Sequence, residues 1–207
     1  MSTTAHKPLA LGFLASHGGS NVQAILDAIA RGDLPAEARV LISNNSQARV
    51  LERARAAGVP TAHLSSHTHP DADALDQAIA DTLLGHGVEL VVLAGYMRKI
   101  GPRVLAAYPN RIVNIHPALL PDFGGPGMYG MHVHQAVIAA GASQSGATVH
   151  LVNGEYDRGP ILAQGRVPVM PGDTPETLQA RVLETEHTLY TDTLRRIALG
   201  ELELDAR

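Results

Sequence analysis

The chain has 207 residues, 45 % of them hydrophobic and 17 % charged, with a formal net charge of -4 and no cysteine. That balance fits one globular α/β domain over residues 1–207, long enough to bury a substantial core. The acidic excess argues against a nucleic-acid surface, and the missing cysteines exclude disulfides, thiolate metal sites and a cysteine nucleophile.

No apolar run approaches the roughly eighteen residues of a membrane span. The short run after Lys7, PLALGFLAS, leads straight into a glycine turn and is read as a strand rather than a secretion signal. In chain order, Leu9 to Ala15 reads as a first buried strand. Ser20 and Gln23 suggest a capping box that opens a helix whose inner face is Val22, Ile25, Leu26 and Ile29. A second strand is expected at Arg39 to Ser43, a helix from about Ser46 to near Gly58, and a short strand at Thr61 to Leu64. A third helix carries Leu75, Ile79 and Leu83 at i, i+4 spacing and feeds the very apolar strand Glu89 to Ala94. Continuous rather than alternating hydrophobicity in these strands indicates a mostly parallel, twisted sheet with helices on both faces. Beyond a strand ending near Asn114 and His116, Pro121 to Gly130 is a Gly- and Pro-rich loop, and a short helix follows around Val133 to Ala140. Two strands, Gly146 to Val152 and Ile161 to Val169, precede a closing helix capped by Thr174, with Pro175 in its first turn.

Three segments carry chemistry. In RIVNIHPALLP, Arg111 to Pro121, Asn114 and His116 lie two residues apart and so share one face of a strand that Pro117 ends. An amide and an imidazole pointing the same way suit developing negative charge during attack on a carbonyl. A buried Asn and His satisfied by the backbone would give the same pattern. In ASHGGSNVQAI, Ala15 to Ile25, the turn between first strand and first helix holds Gly18, Gly19, Ser20 and Asn21, so converging amides and a helix N-terminus can hold an anion such as phosphate. It has neither the Lys-Ser/Thr pair of a nucleotide-hydrolysing loop nor the GxGxxG spacing, and similar turns occur in sheets that bind nothing there. In SGATVHLVNGEYDRGPILAQ, Ser145 to Gln164, a strand bearing Thr148 and His150 leads through a turn to Asp157.

Together with AGYMRKI, Ala94 to Ile100, these motifs in this order resemble the folate-dependent formyltransferases, most closely the phosphoribosylglycinamide formyltransferase family. The resemblance runs from the first strand through the last helix and implies a Rossmann-like formyltransferase fold. It implies formyl transfer from 10-formyltetrahydrofolate, a co-substrate, to the amine of glycinamide ribonucleotide in purine biosynthesis, without metal. By resemblance Asn114, His116 and Asp157 are the catalytic trio, in which Asn114 and a protonated His116 stabilise the tetrahedral oxyanion and Asp157 holds His116 and favours its cationic form. The resemblance likewise assigns Gly19, Ser20, Asn21 and Glu186 to the phosphate and ribose, and Tyr96, Met97, Arg98, Lys99 and Ile100 to the folate pterin. Thr148 and His150 flank the site behind the trio. Two departures stand out: the loop between Pro121 and His132 is longer than in the shorter family members, and His17 stands where a glycine is common. A cytoplasmic monomer or homodimer is expected, with no nucleic-acid or membrane partner.

Related families differ in extent. Methionyl-transfer-RNA formyltransferases carry a C-terminal RNA domain of roughly a hundred residues, whereas this sequence stops at Arg207, and formyltetrahydrofolate hydrolases carry an N-terminal regulatory domain. His132 and His134 form an H-x-H pair that a zinc hydrolase could use, although no HExxH or acidic partner motif accompanies it. A non-enzymatic nucleotide-binding module would need the glycine turn but would have no use for Asp157 beside His116.

Overall fold

A computed structural model of the protein describes residues 7–204. Its centre is a seven-stranded sheet in the order β3-β2-β1-β4-β5-β6-β7. The strands are β1 (Leu9–Leu14), β2 (Ala36–Ser43), β3 (Thr61–His63), β4 (Leu90–Leu93), β5 (Ile112–His116), β6 (Gln144–Leu151) and β7 (Ile161–Pro168). The helices are α1 (Ser20–Arg31), α2 (Arg49–Ala56), α3 (Ala72–Gly85), α4 (Pro102–Ala107), α5 (Met131–Ala139) and α6 (Pro175–Ala198). β1 to β5 pair in parallel, and β6 and β7 add antiparallel strands at one edge.

The parallel strands are apolar along their length because helices cover both faces. One face carries α1, α2, α5 and α6 over a cluster that includes Phe13, Ile25, Leu41, Val92, Val137 and Leu194. The other carries α3 and α4 over Leu14, Ile42, Leu83, Val91, Val104 and Ile112. Each such fully buried aliphatic side chain contributes about 1.5–3 kcal/mol relative to exposure.

Element boundaries follow local chemistry. Gly19, not Ser20, is the N-cap of α1: its backbone is left-handed at φ 70°, and no side chain caps that end. Ser20 is therefore the first helical residue, and the expected capping box is absent; Gln23 N–H instead donates to the Gly19 carbonyl at 2.9 Å. α2 begins at Arg49, three residues later than its sequence suggests, because Asn45 Oδ1 accepts from Gln47 N–H and holds the preceding residues in a turn. The one-turn helix α4 was not anticipated; Pro102 at its first position is the signal that marks it. At α6 the Thr174 cap and Pro175 first turn appear as expected, with Thr174 and Thr177 reciprocally bonded.

Candidate active site

β1 and β4 are neighbours, yet the chain leaves β1 toward β2 and leaves β4 toward β5, so their C-terminal ends open a crevice at the sheet's switch point. Three chain segments meet there: the turn after β1, the irregular strap Gly95–Gly101 after β4, and the end of β5.

Antiparallel pairing of β5 with β6 sets Asn114 opposite His150 and His116 opposite Thr148, so all four share one face. The loop after β6 then brings Asp157 to this face on a left-handed backbone, φ 54°, a conformation that Asp tolerates better than most residues other than glycine. The Asp157 carboxylate stands 3.5 Å from His116 Nδ1 and 3.5 Å from His150 Nε2, and it accepts from Gly125 N–H at 2.9 Å. Burial alone would raise its pKa, but the two histidines and the Gly125 amide together hold it below the usual carboxylate range.

His116 is buried, and its Nε2–H donates to the Phe123 carbonyl at 2.8 Å. Burial pulls its pKa down and outweighs the opposing pull of Asp157 and the Phe123 carbonyl. Asp157 thus favours the cationic ring, as expected, while burial favours the neutral one more strongly. His150 Nδ1–H donates to the Leu151 carbonyl at 2.9 Å, and in the neutral ring Nε2 then accepts from Asn114 Nδ2 at 3.1 Å. This fixes the Asn114 amide and leaves its second N–H free. His150 thus stands behind the trio in contact with both Asn114 and Asp157. The Thr148 hydroxyl donates to the Ala118 carbonyl at 2.6 Å and accepts from Leu120 N–H at 3.0 Å, holding the segment that follows His116.

At the other end of the crevice, left-handed Gly19 turns the chain into α1 with its first amides uncapped, an arrangement suited to an anion. A Cβ at Gly19 would collide with the Val50 side chain, so the turn admits only glycine. Asn21 Nδ2 donates to Glu186 Oε2 at 2.7 Å, which joins the turn to α6. Glu186 lies in the buried α6 series Leu178, Val182, Glu186, Tyr190 and Leu194, where a core residue would otherwise stand, and burial raises its pKa despite the Asn21 bond. His17 is exposed at the turn, where its carbonyl accepts from Val50 N–H at 3.1 Å.

Along the strap, Ile100 belongs to the core on the α3/α4 face, Tyr96 is half-buried, and Met97, Arg98 and Lys99 are exposed. Burial pushes the Tyr96 phenol up to about 12. Lys99 Nζ lies 5.9 Å from the centre of the Tyr156 ring, linking the strap to the loop that carries Asp157. The long loop after Pro121 supplies two backbone groups to the site, the Phe123 carbonyl and the Gly125 amide. On α5, His132 is exposed and packs edge-on against Tyr129, whereas His134 is buried, so the H-x-H pair does not present one ligand face. Among the described residues no group of three or more His, Cys, Asp and Glu is placed to hold a metal ion.

Known proteins share this arrangement of chain. A family model described as "Formyl transferase" matches residues 10–194. The chloroplastic phosphoribosylglycinamide formyltransferase of Arabidopsis thaliana is 42 % identical over 197 residues, spanning 94 % of this chain and 68 % of that protein. The phosphoribosylglycinamide formyltransferase of Escherichia coli K12 is 36 % identical over 191 residues, 92 % of this chain and 88 % of its own. Among solved structures, glycinamide ribonucleotide transformylase 1 from Symbiobacterium toebii superposes with a TM-score of 0.90 at 42 % identity, covering 97 % of this chain and 92 % of that one. Since the matched stretch runs from β1 into α6 and takes in both the glycine turn and the Asn114–His116–Asp157 cluster, the chain belongs to the formyl transferase family, among its phosphoribosylglycinamide formyltransferases.

Proposed function

We propose that this chain transfers the formyl group of 10-formyltetrahydrofolate to the amine of glycinamide ribonucleotide, a step of purine biosynthesis. The observation that carries the reading is Asp157 set between His116 and His150, with Asn114 fixed by His150, on the face that opens into the β1/β4 crevice.

The amine nitrogen attacks the formyl carbon, and the carbonyl electrons move onto oxygen. The free N–H of Asn114 donates to that oxyanion. Neutral His116 takes the proton of the attacking amine, becomes cationic beside Asp157 and adds its charge to the stabilisation. It then delivers the proton to the folate nitrogen as the carbon–nitrogen bond breaks. No covalent enzyme intermediate forms. Gly19, Ser20 and Asn21 hold the phosphate, Glu186 the ribose, and Tyr96 to Ile100 surround the pterin.

The protein acts as a single domain over residues 1–207, in the cytoplasm, as a monomer or homodimer. No helix of the described residues is long and apolar enough to cross a membrane. The test gives the purified protein 10-formyl-5,8-dideazafolate with and without glycinamide ribonucleotide while folate absorbance is followed. Turnover that needs the ribonucleotide supports the proposal; deformylation at equal speed without it makes the chain a hydrolase instead.

A further inference from the structure

Ser16 lies two residues beyond β1 and two before the first glycine of the phosphate turn, and it is 1 % exposed. Every polar group it has is used to tie the three loops at this end of the sheet. Its N–H donates to the Gly95 carbonyl at 3.0 Å, and its carbonyl accepts from Asn45 Nδ2 at 3.3 Å. Its hydroxyl donates to Asn44 Oδ1 at 2.6 Å and accepts from Met97 N–H at 2.8 Å.

The last of these bonds has a particular position. Strand-like pairing between β1 and the chain leaving β4 continues as far as Ala94, whose N–H donates to the Leu14 carbonyl at 3.0 Å. Left-handed Gly95, φ 73°, then turns the chain off the sheet, and the strap runs without regular structure to α4. In that stretch the Ser16 hydroxyl grips the strap at Met97, while Asn44 at the end of β2 fixes the rotation of the hydroxyl. One side chain is therefore bonded to the strap assigned to the folate and continuous through two residues with the turn assigned to the phosphate.

We propose that Ser16 is a positioning residue that couples the two substrate subsites: the hydroxyl sets the strap relative to the glycine turn, so that filling the turn firms the folate subsite. The proposal rests on the formyl-transfer reading, although its first readout needs no turnover.

The experiment compares the parent protein with Ser16→Ala by amide hydrogen exchange and steady-state kinetics. Loss of the buried acceptor should speed exchange of the Met97 amide about tenfold and raise the KM for 10-formyl-5,8-dideazafolate by about the same factor. The kcat at saturation should stay within about threefold, since no group touching the reacting atoms is lost. Glycinamide ribonucleotide should slow Met97 exchange in the parent and leave it unchanged in the variant. A folded Ser16→Ala protein with parental Met97 exchange and folate KM overturns the proposal, as does a variant that retains the ribonucleotide effect. Should Ser16→Ala fail to fold, Asn44→Ala leaves β1 intact and frees the hydroxyl; faster Met97 exchange is again expected, and unchanged exchange refutes the coupling. A parent protein that catalyses no formyl transfer would sink the functional reading alone, because the exchange response to Ser16→Ala is measured without substrate.

Discussion

Asn21 and Glu186, 165 positions apart in sequence, meet in a 2.7 Å hydrogen bond that joins the first turn of α1 to the middle of α6. Burial raises the Glu186 pKa, and the Asn21 donor offsets this only in part. A carboxyl whose folded pKa lies above its unfolded one contributes stability at low pH, and that contribution is lost as pH rises through the folded pKa. Wherever Glu186 is ionised, its charge is thus a cost to the fold.

Glu186→Gln keeps an oxygen for Asn21 and removes the charge. The variant should melt higher at pH 7.5, by about 2–4 °C for each kcal/mol relieved, and should bind glycinamide ribonucleotide more weakly with folate KM unchanged. Thermal melts at pH 5 and 7.5 beside acceptor titrations check both halves. A lower melting temperature at pH 7.5 would show that the charge stabilises the fold.

His116 gives a pH test with a defined sign. Burial lowers its pKa below the ordinary histidine value, Asp157 pulls the other way, and the proposed mechanism needs the neutral ring in the free enzyme. The acid limb of kcat/KM should fall below pH 6.5, the ordinary value. Asp157→Asn removes the upward pull, so the limb should move to still lower pH while kcat drops by about two orders of magnitude. His116→Ala should cost about as much, and the double variant scarcely more, because the two act as a unit. Activity that rises as pH falls from 7 to 5.5 would mean that the cationic ring is the competent form.

His150 and Asn114 form the second testable pair. Asn114→Ala removes an oxyanion donor and should lower kcat by about a hundredfold to a thousandfold. His150→Phe removes the group that orients the amide and also the 3.5 Å contact with Asp157, so its cost should be smaller in kcat, absent in acceptor KM, and reduced in an Asn114→Ala background to the part that acts through Asp157. Equal and additive losses would show that His150 acts independently of Asn114.

The sequence carried much of this site in side-chain spacing. Asn114 and His116 share a strand face because they are two residues apart, and Thr174 with Pro175 marks the start of α6 by chemistry that is wholly local. The groups that escaped it are of two kinds. The Phe123 carbonyl and the Gly125 amide are backbone atoms placed by a loop, and no residue type announces them. Ser16 draws its role from a partner 81 positions away, so only the pairing of β1 with β4 reveals it, and His150, which the resemblance does name, shows its contact with Asn114, 36 positions away, only through the pairing of β5 with β6. Glu186 had a legible signal of another sort, a carboxylate at i+4 spacing among buried apolar residues of α6.

Gly19 and Ser20 separate architecture from binding within one turn. At Gly19 a side chain meets two obstacles, a left-handed φ of 70° and the Val50 side chain in the space a Cβ would fill. Gly19→Val should therefore fail to give a folded protein, and Gly19→Ala should lose about 1–3 kcal/mol from the backbone conformation alone. Val50→Ala in the Gly19→Ala background removes the Val50 Cγ2 contact but leaves Val50 Cβ 2.6 Å from the added Cβ, along with the backbone strain, so it should restore part of the melting temperature and not all of it. Ser20→Ala touches neither obstacle, since Ser20 is an ordinary first-turn residue of α1. It should melt like the parent and raise the KM for glycinamide ribonucleotide with kcat and folate KM unchanged, as loss of a phosphate contact remote from the reacting nitrogen would. Melting curves and acceptor titrations on the four variants decide it: a Ser20→Ala protein with parental acceptor KM would remove the Ser20 hydroxyl from the phosphate site.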